Sequence, residues 1–478
     1  MIWYSIFVRS FADSNNDGIG DLKGIINSLD YLEELGVEGI WLSPIHPAPS
    51  YHKYDVVDYY GIDPEYGTMA DLMLLIKEAH RRNIKIMLDM VFNHCSEQHP
   101  WFLQALKGKK NKYRTYFNWK DAQEVKKLNL NDWHVPKKGA TDECYYGLFW
   151  KGMPDWNFDH ADVRRAMIDI SKFWINKGVD ALRLDAAMHI FPPGREKDNV
   201  IWWQELRKAL GDEIFMVGEI THGPTYIQPY LKKGLSSAFN FDLAEKIIQA
   251  VLNEKHDCLG VPIAIGRIAI VQNNFSKTDK NACDSIFLSN HDQVRVASRW
   301  DGNILKSKLA ASILCSLPGE IFIYYGEELG MLGLKPDEFV REAFPWTWEQ
   351  DSQICTWHPS KYNLPTTLPS YQQQKLDPQS IFNHYQKLLA IRKDHLALTQ
   401  GKIENVICSD PSVLIFTRKH AHQQILVMHN LTGVDVILRH EDASFEFTTI
   451  HASSVNPSPK KDNFHLPAYG SLMVDVKI

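Results

Sequence analysis

The chain has 478 residues and a net charge of −6, with 44% hydrophobic and 23% charged residues and 14 Trp, 19 Tyr and 22 Phe. That length accommodates one large domain and one or two smaller ones around an ample core, and the slightly acidic balance leaves no electrostatic footprint for a nucleic-acid partner. No run of about 18 apolar residues is present, so no membrane-spanning helix is expected.

The 7 cysteines are scattered, without zinc-type spacing or a dense disulfide framework. MIWYSIFVRSF runs directly into a strand-like pattern, with no basic region, long apolar segment or cleavage site. A cytoplasmic location is the expectation. From there one arrangement recurs: an amphipathic helix pattern, a Gly or Asn stop, then a short apolar run ending in a polar residue. LKGIINSLDYLEELG leads to VEGIWLSP, DLMLLIKEAHRRN to IKIMLDMVFNH, VRRAMIDISKFWINKG to VDALRLD, IWWQELRKALG to DEIFMVGE, and KSKLAASILCSLPG to EIFIYYGEE. Strands are predicted at 2–8, 38–42, 84–90, 180–184, 214–218, 236–240, 284–289 and 320–325. Apolar strands alternating with helices form a parallel sheet buried on both faces. Eight such units fit a (β/α)8 TIM barrel of α/β class better than an open doubly wound sheet, and no G-x-G-x-x-G turn supports the latter.

Residues 95–160, rich in Trp, Tyr, Lys and Asn, read as a subdomain inserted after the third strand, leaving 1–94 and 161–398 as the barrel. The proline-containing stretch 350–380 reads as a long surface loop. From 399 to 478 the pattern changes to alternating strands (SVLIFTRKH, QILVMHN, VDVILRH, FEFTTIH, GSLMVDV), an all-β sandwich domain.

Barrel active sites form at the C-terminal ends of the strands. Strand three ends in Asp89, Asn93 and His94; strand four in Arg183, Asp185 and His189; strand five in Glu219; strand seven in Asn290, His291 and Asp292. Ala181, Arg183 and Asp185 share one face of their strand. Taken alone, an Arg–Asp pair at a strand end is more often a structural salt bridge than a catalytic pair, but here several strand ends carry acids and histidines together. No H-x-H or H-E-x-x-H spacing favours a metal hydrolase, and Arg183 opposes a cation beside Asp185. Glycoside cleavage needs one ionised carboxylate and one protonated carboxyl. Asp185, next to Arg183, is predicted to be ionised, and Glu219, on the hydrophobic strand IFMVGE, to carry the raised pKa of an acid.

These residues resemble the α-amylase family of glycoside hydrolases (family 13), over essentially the whole chain. Its four signatures occur in order as DMVFNH (89–94), GVDALRLDAAMH (178–189), GEI (218–220) and FLSNHD (287–292), with the accessory motifs DGIGDLKGI, MPDWN (153–157) and YYGEELGM. The resemblance implies that Asp185 is the nucleophile, Glu219 the acid/base, Asp292 the third carboxylate and Arg183 the partner of the nucleophile. It places Tyr54 beneath the sugar at the cleavage point and His94 and His291 on its hydroxyls, with His189 in the same substrate-binding set; Asp89 shapes the site. The implied substrate is a maltooligosaccharide or longer α-glucan, cleaved at α-1,4 bonds with retention. A 4-α-glucanotransferase or α-glucosidase using the same residues is the alternative, and a non-enzymatic glucan-binding homologue the remote one.

In DSNNDGIGD (13–21), the side chains of Asp13, Asn15, Asp17 and Asp21 and the carbonyl of Ile19 supply clustered oxygens of the kind calcium prefers. The loop departs from an EF-hand, with Gly24 where that motif needs Glu, and a plain Asp/Asn/Gly turn is the alternative. Related bacterial loops bind calcium, so a structural Ca²⁺ is expected. Three positions bear on specificity: Met188 replaces a frequent lysine, Ala186 follows Asp185 as in members that cut α-1,4 bonds, and Tyr51 replaces the acidic residue that closes the pocket of exo-acting members; Trp156 in place of a usual leucine has no explanation in the sequence. An open cleft is the expectation from Tyr51. Oligomeric state is not legible.

Overall fold

The structure is a computed structural model that describes residues 1–137, 142–255, 279, 282–349, 353–407, 411–439, 447–452 and 463–476. Eight parallel strands form its centre: β1 (Ile2–Ile6), β2 (Gly39–Leu42), β3 (Lys85–Met90), β4 (Ala181–Leu184), β5 (Phe215–Gly218), β6 (Ser237–Ala238), β7 (Ser285–Ile286) and β8 (Glu320–Tyr324). They pair in the order β7-β8-β1-β2-β3-β4-β5-β6, and a parallel bridge between Phe239 and Ser285 joins the two ends into a barrel. The runs at 236–240 and 284–289 pair over two residues each, shorter than the sequence pattern predicts, so the barrel is most thinly stitched at this seam.

Side chains alternate faces along each strand. Trp3, Trp41, Met87, Ala181, Val217, Phe239, Phe287 and Phe322 meet in one buried cluster inside the barrel, with Trp3 stacked on Phe322 at 6.1 Å. The same rows then turn polar: Asp89 lies two residues beyond Met87, Arg183 two beyond Ala181, and Glu219 two beyond Val217. Asp89 and Arg183 are direct partners in the β3–β4 register. An apolar plug therefore fills the lower barrel and pushes the ionisable residues to its C-terminal mouth.

The helices follow local chemistry. Met69–Arg81 starts at a capping box between Thr68 and Asp71, and Ala161–Asn176 buries Val163, Met167, Ile170 and Trp174. LKGIINSLDYLEELG forms two helices, Leu22–Asn27 and Leu29–Leu35, because the Ser28 hydroxyl bonds back to the Gly24 carbonyl at 2.9 Å. Of the stretch predicted as a surface loop, residues 353–370 carry no helix or strand and Tyr371–Leu376 is a short helix; the loop is pinned where the buried Glu342 carboxylate accepts the N–H groups of Lys361 (2.7 Å), Tyr362 and Asn363. Between β3 and β4 lies a three-stranded antiparallel sheet of Trp119–Asp121, Trp133–His134 and Glu143–Tyr146. Trp156 belongs to the core of this insertion, stacked on Phe117 at 4.8 Å and edge-on to His99 at 5.0 Å.

The C-terminal strands are β9 (Lys402–Ile407), β10 (Val413–His420), β11 (Gln423–Asn430), β12 (Val436–Arg439), β13 (Phe447–Ala452), β14 (Asn463–Leu466) and β15 (Ser471–Val476). β9 and β14 are absent from the strands predicted above. A five-stranded sheet ordered β9-β10-β11-β15-β13 faces the β12-β14 pair, and Val413, Met428, Leu472 and Leu466 share the core between them. This sandwich is locked to the barrel by Arg418, which donates to the carbonyls of Leu398 (2.9 Å) and Gly401 (2.8 Å). His429 bridges Ser316 (3.1 Å) and Ser471 (2.7 Å), while His384 meets Ser312 at 3.0 Å with Lys308 and Lys387 nearby.

Burial lowers His429 to about 3 and His384 to about 4, below an unfolded value of about 6.5. The unfolded chain therefore takes up these protons first, and the stability they contribute is present above about pH 6.5 and lost as pH falls below it. Buried Glu327 and Glu328, raised by burial to about 8 and about 7, titrate in the opposite sense and cancel when wild type is compared with a histidine variant. Between pH 7 and pH 5 the stability of His429→Gln relative to wild type is expected to rise by about 2 kcal/mol, measured by urea denaturation at both pH values.

Candidate active site

Arg183, at the end of β4, is 1% exposed and carries the centre of the site. Its Nη1 donates to Asp89 Oδ1 at 2.7 Å and to Asp185 Oδ1 at 2.6 Å, and its Nη2 to Glu219 Oε2 at 2.6 Å. Trp41 Nε1 donates to the other oxygen of Asp89 at 3.2 Å. Just past Asp185 the backbone turns left-handed at Ala186 (φ 46°), and the Ala186 N–H donates to Glu219 Oε2 at 3.2 Å. A non-glycine residue in that region is strained, and such strain collects at functional sites.

This arrangement corrects the separate environments predicted for the two carboxyls. Arg183 does not serve Asp185 alone; Glu219 shares its fork. Burial, with the like charges of Glu219 and Asp89, pushes Asp185 well up, against the pull of Arg183. Three carboxylates thus meet on one guanidinium.

The network continues across the floor. The Tyr54 hydroxyl donates to Asp89 Oδ2 (3.1 Å) and accepts from His291 Nε2 (2.6 Å), with the two rings stacked at 5.5 Å. His291 Nε2 also lies 3.0 Å from Asp292 Oδ2. Asp292 stays open to the cleft, with its side chain 46% exposed. Crowding by the cleft walls raises its carboxyl, but His291 and Arg341 outweigh that and hold it well below the usual range. His94 is lowered to about 4 by burial; Asn93 lies 3.0 Å from its Nδ1, and its Nε2 has no partner among the described residues.

Tyr54, His94, Asp185, Glu219 and Asp292 line one cleft of about 370 Å³, within the range of ligand sites. Arg183 and His291 lie beneath it, both buried. His189 stands to one side, its ring edge-on to Phe149 at 5.8 Å, and burial lowers its pKa. Sequence reasoning missed His52, Phe149, Trp150, Met153, Asp337 and Arg341 as site residues; with Ala186 they complete the lining. The side facing Tyr51 is built rather than bare: Arg341 donates to the Tyr51 hydroxyl (2.9 Å), Asp292 (2.8 Å) and Asp337 (3.3 Å). Arg341 and Asp337 follow YYGEELGM by a few residues, so their proximity to that motif was the available signal. Met188 is not part of this lining; the Thr221 hydroxyl lies 3.5 Å from its sulfur.

The loop 13–21 holds itself. Asp13 accepts the N–H groups of Asn15 (2.9 Å), Asn16 and Gly18 (2.7 Å); Asp17 accepts that of Ile19 (2.8 Å), and Asp21 caps Gly24 (2.7 Å). Asp13 and Asp21 are buried. Among the described residues no cationic side chain pairs with Asp13, Asp17 or Asp21, and no group of three or more His, Cys, Asp or Glu is arranged to hold a metal unaided. The donor set, oxygen only with two buried and uncompensated carboxylates, fits a hard cation.

Two carboxyls on one guanidinium at the mouth of a (β/α)8 barrel, above a tyrosine floor, are the arrangement that glycoside cleavage requires. The α-amylase catalytic-domain family matches residues 5–401. Alpha-amylase 3 of Dictyoglomus thermophilum is 43% identical, covering 99% of this chain and 93% of that protein. A 4-alpha-glucanotransferase of Thermotoga maritima is 33% identical over 91% and 97% respectively. The crystal structure of an alpha-amylase from H. orenii superposes with a TM-score of 0.88 at 37% identity, covering 100% of this chain and 99% of that one. The chain belongs to the α-amylase family of glycoside hydrolases.

Because the charge of Asp89 helps to raise Asp185, Asp89→Asn lets Asp185 stay ionised at lower pH. The acid limb of kcat/KM against pH is expected to move to lower pH in this variant, and an unmoved limb would show that Asp89 is not electrostatically coupled to the nucleophile.

Proposed function

We propose that the protein hydrolyses α-1,4-glucosidic bonds of maltooligosaccharides and related α-glucans with retention of configuration. The observation that carries this reading is the Arg183 fork, which holds Asp185 and Glu219 at 2.6 Å each. Two carboxyls bound to one guanidinium match the close spacing used for a covalent intermediate, not the wider one that admits a water between them. A glucosyl ring lies on Tyr54, with hydroxyls reaching His94, His291 and Asp292. Asp185 attacks the anomeric carbon as the bond to the leaving oxygen breaks and Glu219 gives that oxygen its proton. Glu219 then takes a proton from water, whose oxygen attacks the same carbon and frees Asp185. Arg183 keeps negative charge available on the set throughout, and Asp292 supports the positive charge that develops on the sugar.

A sugar hydroxyl in place of water gives the 4-α-glucanotransferase reaction, the second reading, which the Thermotoga maritima relative supports. Incubation with maltotriose is expected to yield glucose and maltose; products longer than maltotriose as the main outcome would establish transfer. Asp185→Asn is expected to lower kcat by at least ~10³-fold, and retention of most activity would overturn the assignment.

Asp13, Asn15, Asp17, Asp21 and the Ile19 carbonyl are proposed to hold a Ca²⁺ that neutralises the buried Asp13 and Asp21 and stiffens the turn after β1. Calcium added to chelator-stripped protein is expected to raise Tm in proportion to the logarithm of its concentration, and Asp13→Ala to abolish that dependence. A cytoplasmic location is supported by the free cysteines among the described residues, Cys95, Cys144, Cys283, Cys315 and Cys355; Cys258 and Cys408 lie outside those residues.

A further inference from the structure

Lys53 stands between two residues that line the cleft, His52 and Tyr54, and is itself absent from the lining. Its backbone is left-handed (φ 65°), a region where a residue with a Cβ is strained and glycine is not. Its side chain is 5% exposed, although lysine is seldom buried. The ammonium meets Asp63 Oδ2 at 2.8 Å and Glu65 Oε2 at 2.7 Å, and donates to the Ala48 carbonyl at 3.2 Å. A glycine here would make the same turn with neither backbone strain nor a buried charge. Strain of this kind collects where a site needs it.

Both acids are fixed from behind. Asp63 accepts the Ala48 N–H at 3.1 Å and the Glu65 N–H at 3.0 Å, and its own N–H donates to the Ile45 carbonyl, just past β2, at 2.8 Å. Glu65 also accepts from Arg9 Nη1 at 2.6 Å. The Arg9 guanidinium lies 5.3 Å from the centre of the Trp357 ring, on which Tyr51 stacks at 5.1 Å. The segment 51–54 is thus gripped at Tyr51 and at Lys53 by residues that are not part of the lining. Tyr54 is held at two ends: its hydroxyl between Asp89 and His291, and its backbone beside Lys53, with its N–H donating to His52 Nδ1 at 3.1 Å. The floor sets the tip of the ring and Lys53 sets its root. A displacement of about 1 Å under a reacting sugar can cost ~10²-fold in rate.

We propose that Lys53, seated between Asp63 and Glu65, is a positioning residue that sets the height and tilt of the Tyr54 ring beneath the sugar at the cleavage point. The inference rests on the glycosidase reading and on Tyr54 as the floor of that site. Lys53 touches neither the substrate nor the reacting atoms; it acts through Tyr54.

The test is a double-mutant cycle on α-maltosyl fluoride, which places a sugar over Tyr54 and needs none on the leaving side, with activity referred to folded protein well below Tm. Lys53→Gly removes the ammonium, and glycine adopts the left-handed backbone freely. It is expected to lower kcat/KM at least ~10-fold when Tyr54 is present, and less than ~2-fold in a Tyr54→Ala background, where the ring it positions is gone. Glu65→Gln, at a side chain 38% exposed, gives a second arm should Lys53→Gly not fold, and is expected to lower kcat/KM by a smaller factor. An unchanged kcat/KM in Lys53→Gly or in Glu65→Gln overturns the proposal. So does an equal fold-loss with and without the Tyr54 ring, because Lys53 would then act by another route. Failure of the underlying reading shows separately, as a wild-type protein that turns over neither the fluoride nor maltopentaose.

Discussion

Arg183 is a guanidinium almost wholly removed from water inside a barrel, and the rest of the site is arranged around the need to meet it. A buried cation without partners costs several kcal/mol. Here Asp89, Asp185 and Glu219 accept from its terminal nitrogens, while the rings of Trp41 and Tyr54 flank it at 5.3 and 5.9 Å. A chain of hydrogen bonds through Tyr54 and His291 links this set to Asp292, where Arg341 supplies a second cation. Strand ends that are distant in sequence become one electrostatic object. A change at any member is felt at the nucleophile.

How much of this was legible depended on whether the signal was local. The period-two row Ala181, Arg183, Asp185 was readable because strand geometry alone puts those side chains on one face, and the same rule carried Asp89 beyond Met87 and Glu219 beyond Val217. The barrel itself followed from repeated helix-then-strand patterns, long enough to outvote local ambiguity. The shared fork was not readable: that Arg183 reaches Glu219 depends on the spacing between β4 and β5, and that Ala186 takes a left-handed turn depends on the Glu219 carboxylate waiting for its N–H. Asp337 opens and Arg341 caps a helix of 4 residues, Asp337–Val340, too short to show a period, and such residues enter a site through tertiary packing that no pattern records. Trp156 shows the converse, a departure within a motif that packing explains: the insertion is built on aromatic contacts and uses the larger side chain as core.

Buried charge is managed differently where the barrel meets the sandwich. Arg392 and Arg418 are as deeply buried as Arg183, yet their partners are backbone carbonyls of Cys315, Leu317, Gly319, Leu398 and Gly401. Carbonyls near the end of the helix Ile304–Ser316 are unpaired within that helix and carry partial negative charge, so they satisfy a cation without adding a titratable acid. The interface is thus held by groups that do not change with pH, except for its neutral histidines. The active site uses the opposite device, carboxylates, because its chemistry requires a proton to move.

That division extends to the cleft itself. Its floor, from Arg183 to Asp292, is rigidly hydrogen-bonded and acts only on the sugar whose bond is broken. Water and a sugar hydroxyl would attack the same anomeric carbon through the same base, so nothing in the floor distinguishes them. The distinction lies in how long each acceptor stays and how well water is kept out. Phe149, Trp150 and Met153 bring an apolar part of the lining from the insertion between β3 and β4, tied to the barrel through Asp155, which accepts from Asn93 at 3.3 Å and from the Leu148 N–H at 3.1 Å. The loop bearing Phe149 and Trp150 is therefore positioned by the strand end that also carries His94.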